Sequence, residues 1–119
     1  MIEILLAVGF GIVLGVTAGL IPGLHPNNTI PMILGFSFFL GPLHGALVLI
    51  SSGVANSFVS FIPSILLGAP EDSDALGVLP GHRLLLEGRG FEAVKLTAVG
   101  SLGGMVFGLI TLPLFVFLI

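Results

Sequence analysis

From Ile4 to Pro70, 67 consecutive residues contain no Asp, Glu, Lys or Arg. A surface built from such a run cannot be wetted, so most of the chain must take lipid as its solvent. Over the whole chain 8% of residues are charged, against roughly 25% in soluble domains. Within the uncharged run stands the stretch GLIPGLHPNNTIP, Gly19 to Pro31, with three prolines, two glycines, a histidine and two adjacent asparagines. These are helix-breaking and hydrogen-bonding residues, set where the chain is otherwise most apolar.

The pattern of apolar runs implies an all-α, polytopic integral membrane protein with a broken or re-entrant helix after the first span. Residues 4–21 form an uncharged run of 18 residues, about 27 Å as helix, close to the ~30 Å of a bilayer core. With no basic residue ahead of it, this run reads as a retained span and not as a signal peptide. Residues 22–28 are expected to be an unwound Pro/Gly/Asn loop. Residues 29–40 are apolar but only 12 long, the length of a short or re-entrant helix. Residues 43–67 are expected to span.

Residues 71–95 hold eight of the nine charges and all three cations, Arg83, Arg89 and Lys95. They are expected to be a charged loop on the cytoplasmic side, where Lys and Arg accumulate, with Arg83 to Leu86 at the interface. Residues 96–119 form the last expected span. If 29–40 does not cross, Met1 lies on the same side as the charged loop; if it crosses, Met1 lies opposite.

Backbone polar groups in hydrocarbon must be satisfied internally, or else buried by protein or reached by water. Pro22 and Pro26 remove donors and Gly23 permits positive φ, so the helix is expected to stop near Ile21. Asn28 is expected to be the N-cap of the next helix, which puts Pro31 at its third position. The free amides and positive dipole end would then favour an anion. Two readings stand: a surface turn between spans, or a protein-lined site. The lack of charge in the motif and the shortness of 29–40 favour the site, with Gly23, His25, Asn27, Asn28 and Thr29 as its residues. His25 would hydrogen-bond a substrate or serve structure.

Ser52, Asn56, Ser60 and Ser64 recur every fourth residue and share one helix face. Ser52 and Ser64 read as packing residues, Asn56 and Ser60 as part of a substrate-facing wall. Two glycine rows, Gly11-Gly15-Gly19 and Gly100-Gly104-Gly108, read as close helix contacts. His44 and His82 read as structural. There is no cysteine, no His-rich ligand spacing and no serine with a base–acid pair. No enzyme, metal, disulfide or nucleic-acid role is therefore expected.

The residues also resemble a known family. The order runs Pro22-Gly23-Leu24-His25-Pro26-Asn27, an apolar piece ending in Gly41-Pro42, then Ser64-Ile65-Leu66-Leu67-Gly68-Ala69-Pro70. Asp74 to Gly81 and Gly88-Arg89-Gly90 follow. This is similar to the start of the TctA family, the large membrane subunits of tripartite tricarboxylate transporters, in its archaeal form. Departures fall at Val59-Ser60-Phe61, Gly68 and Glu71. The resemblance implies the N-terminal part of a longer cell-membrane permease for small anionic carboxylates. It further implies a coupling cation (sodium or proton) and no other cofactor. The expected partners are the bilayer, the remainder of the permease or further copies, a small membrane subunit and an extracytoplasmic binding protein. The alternative is a small non-transporting membrane scaffold or assembly subunit.

Overall fold

A computed structural model describes residues 1–24, 26–68 and 75–118, and every regular element among them is helical. The elements are α1 (Ile2–Leu20), α2 (Pro26–Leu40), α3 (Pro42–Val59), α4 (Phe61–Leu67), α5 (Ala75–Leu86) and α6 (Gly90–Leu118). Three helical stretches are long and apolar enough to cross a membrane: Ile2–Leu20, Pro42–Leu67 and Gly90–Leu118. Large apolar side chains face outward along them, with Leu5 68% and Phe117 90% exposed. Such a surface is stable only in lipid or against other apolar protein. The chain is an all-α membrane protein.

The first glycine row explains how α1 and α3 pack. A Cβ on Gly11 would collide with the Ser51 hydroxyl and lie 2.6 Å from the Val48 carbonyl oxygen. On Gly15 it would collide with the Ser52 carbonyl and lie 2.9 Å from Ala55 Cβ; on Gly19 it would lie 3.2 Å from the Ser60 nitrogen. The backbones therefore touch over three successive turns, which only glycine permits. Successive glycines meet successive turns of α3 in the same order, so the two helices run parallel.

Parallel neighbours require a return path, and α2 supplies it. Its start, at Thr29, shares a cleft with Thr17 and Ile21 near the end of α1. Its end, at Phe39 and Leu40, lies beside Glu3 and Leu6. Ala7, Ile33 and Val48, one from each helix, form the shared core. The piece expected to be a short or re-entrant helix packs on α3 and runs antiparallel to it, 15 residues long and about 22 Å of helix.

The run 43–67 holds as a stretch long enough to span, Pro42–Leu67, with a joint at Ser60 between α3 and α4. Pro63 has no N–H for the Val59 carbonyl and its ring crowds that group, so the helix restarts with Pro63 in its first turn. The charged segment, expected as a loop, contains α5. Val78 is fully buried. A Cβ on Gly77 would lie 3.1 Å from the Phe61 ring and one on Gly81 3.0 Å from Ile65. The rising order of these pairs sets α5 parallel to α4. His82 Nδ1 lies 2.7 Å from the Ile65 carbonyl, capping the end of α4 beside Gly68, whose φ of 63° ends that helix. His82 is thus structural, as its sequence context suggests. Arg89 is held bidentately by Glu92, at 2.8 and 2.7 Å.

The second glycine row behaves differently from the first. A Cβ on Gly100, Gly104 or Gly108 would meet nothing within 4 Å among the described residues. The close backbone contact expected at Gly104 is not made there.

The helix directions carry a topological prediction. If α1, α2 and α3–α4 each cross, Met1 and the Glu87–Arg89 turn lie on opposite sides. The chain lacks cysteine, so single reporters are clean. Glu87→Cys should be labelled by an impermeant thiol reagent only from the cytoplasmic face, and Ile2→Cys only from the other. Labelling of both from one face would refute the return path through α2.

Candidate functional site

The site begins where α1 stops. Ile21 leaves the helix at φ −93° and ψ 111°, its N–H donating to Ala18 O at 3.2 Å. The Leu24 N–H then donates to Ile21 O at 3.2 Å, and Gly23 has φ 85°. Proline second and glycine third, with positive φ at the glycine, is the type II turn that this order of residues favours. The helix end near Ile21 and the positive φ of Gly23 follow the sequence expectation.

Across from this turn stands the Ser60 joint. Both interruptions line one cavity of about 230 Å³. Its walls include Gly19, Gly23, Leu24, Ser60, Pro63 and Ser64, and none of the described residues lining it carries a charge. The Ser64 hydroxyl donates to the Ser60 carbonyl at 2.9 Å, leaving its oxygen as an acceptor. The Gly23 N–H and the Ser60 hydroxyl have no hydrogen-bond partner among the described residues. The cavity can therefore offer neutral donors and acceptors to a small polar group, without a fixed charge.

The expected site residues do not all meet there. Gly23 and Ser60 do. Thr29 lines a second cleft of about 260 Å³ between α1, α2 and α3, with the buried Ser52. Ala18, Ile21 and Leu24 border both spaces. Asn56 is 5% exposed at the α1 contact and lines neither space; its backbone carbonyl faces Gly19. Asn28 is exposed and lines neither. His25 and the side chain of Asn27 lie outside the described residues, as do Ala69 to Asp74.

Asn28 is not the N-cap. Helix α2 starts at Pro26, where proline's fixed φ and missing N–H suit the first position. That places Asn28 third and carries Pro31 inside the helix. Sequence reasoning also missed Pro63; Ser64, read as a packing residue bonded back to the preceding turn, makes that bond. The available signal was Pro63, hidden in an apolar run long enough to pass for one span.

Apolar helices that end in a Pro-Gly turn or carry a proline joint, both bordering one cavity, define the class as a helical membrane protein. The chain belongs to the Tripartite tricarboxylate transporter TctA family, whose model matches residues 5–119. It is 41% identical over 104 residues to an uncharacterized protein of Methanocaldococcus jannaschii, covering 84% of this chain and 25% of that protein. It is 29% identical over 92 residues to an uncharacterized 52.8 kDa protein in the TAR-I ttuC' 3' region of Agrobacterium vitis, covering 76% of this chain and 18% of that one. The chain thus spans a quarter or less of the length of these relatives. No solved structure matches it.

Proposed function

We propose that this chain supplies the opening helices of a multi-pass cell-membrane transporter for organic carboxylates, with the Gly23–Ser60 cavity on its substrate or ion path. One observation carries this reading: two helix interruptions far apart in sequence share a single cavity whose described lining is uncharged. Transporters place substrate and ion sites where helices are discontinuous, because unwound backbone there can bind a ligand. The positive end of α2, with Asn28 and Thr29 in its first turn, lies just beyond the turn and favours an anion. In this reading a sodium or proton gradient drives uptake. The working assembly adds the rest of the permease, a small membrane subunit and an extracytoplasmic binding protein. His25 and Asn27 are further candidate site residues in this reading.

The test is carboxylate uptake into proteoliposomes by the full permease. Ser60→Leu fills the cavity and should cut uptake by about tenfold or more, which corresponds to roughly 1.4 kcal/mol or more of lost binding. Ser57→Leu changes an exposed position whose hydroxyl only bonds back to Gly53 O, at 3.0 Å, and should leave uptake unchanged. Equal uptake by both variants would remove the cavity from the path. Absence of carboxylate uptake by the intact permease would remove the substrate class.

A further inference from the structure

A different site stands at the other end of α1 and α3. Glu3 is the only charged residue before Glu71. Its Oε2 lies 3.7 Å from His44 Nε2, beyond hydrogen-bond distance. The two side chains are close enough for an ion pair but make no direct hydrogen bond, and neither has a hydrogen-bond partner elsewhere among the described residues.

Both groups border a cavity of about 420 Å³. Leu6 and Phe10 line it one and two turns further along α1, and Val48 lines it one turn further along α3. Along α1 and α3 polarity thus falls from a carboxylate and an imidazole at the helix ends to apolar walls within, while Phe39 and Leu40 of α2 flank the polar end. A small soluble anion gains nothing from such a gradient. A lipid matches it, with its headgroup at the water boundary and its chain along the helices. Glu3 disfavours an anionic headgroup and favours one that ends in a cation.

We propose that this cleft binds one membrane lipid with a primary-amine headgroup, of the phosphatidylethanolamine type. The ammonium donates to the Glu3 carboxylate, a His44 ring N–H donates to the phosphate, and one chain lies on Leu6 and Phe10. A primary ammonium has three N–H donors, whereas a choline headgroup has none, so the cleft discriminates between the two.

The test is native mass spectrometry of the full chain, purified in detergent with equal amounts of phosphatidylethanolamine, phosphatidylcholine and phosphatidylglycerol. The ethanolamine lipid should be retained about fivefold or more over the choline lipid, as a charged hydrogen bond implies. Glu3→Gln keeps the shape of a side chain that is 84% exposed, so it should fold normally yet bring the two lipids to parity. His44→Ala should lower retention of both alike. Parity in the unaltered protein, or a preference that survives Glu3→Gln, would overturn the assignment. So would retention of no lipid at all, the result expected if a protein segment fills the cleft.

Discussion

Gly15→Leu should unseat α1 from α3 and leave a protein that melts early or fails to purify as a single species. The Ser52 carbonyl stands where the new Cβ would go, and Ala55 Cβ would be 2.9 Å away. Overpacking a core typically costs about 1–3 kcal/mol when side chains can yield. Here the first obstacle is backbone, so the cost should reach or exceed the upper end of that range. Gly104→Leu is the matched control. Nothing among the described residues lies within 4 Å of a Cβ there, so thermal melting of the chain in detergent should hardly change. Equal loss in both variants would mean that the first glycine row is not a backbone contact. Loss only at Gly15 would establish α1–α3 as the structural spine.

Pro63→Ala should have opposite effects on stability and transport. Alanine restores an N–H for the Val59 carbonyl and removes the ring that crowds it. Proline inside a helix costs about 3 kcal/mol relative to alanine, and its first-turn place in α4 recovers part of that. The variant should therefore melt at the same temperature or higher, with α3 and α4 merged into one helix. The cavity beside Ser60 would lose its joint. Carboxylate uptake by the full permease should fall by about tenfold or more, since about 1.4 kcal/mol of lost binding suffices for that. A variant that is less stable yet still transports would show that the bend belongs to folding alone.

Local features were legible in the sequence. Apolar run lengths identified the membrane helices. Pro22 and Gly23 identified the end of α1, because a turn of this type depends on its own four residues. The first glycine row makes the close contact its spacing suggested, while the second, with the same spacing, makes none among the described residues. What failed depended on competition or on partners. Asn28 is a good cap, but Pro26 is a better first residue, and a single helix start cannot use both. Helix α5 carries Pro80 and two glycines and looks broken in isolation. It is held by Val78, by the fit of Gly81 on Ile65 and by His82 on the Ile65 carbonyl, none of which shows before α4 is beside it. The parallel course of α1 and α3 is likewise a property of the pair. Of the candidate site, Gly23 and Ser60 were named from sequence, but their shared cavity follows only from that parallel course.

The backbone contact along Gly11, Gly15 and Gly19 also limits how this part of the protein can move. Two smooth helices can creep past one another by fractions of an ångström. Helices whose main chains are notched together at every fourth residue cannot, because a small slide drives ordinary side chains into the notches. The smallest slide that fits again is a whole notch, four residues or about 6 Å. Helices α1 and α3 therefore behave as a single solid rod at any smaller displacement. Bending is left to the joints at its end, the Ile21–Leu24 turn and Ser60, so a change in the shape of the cavity is a change in those two angles.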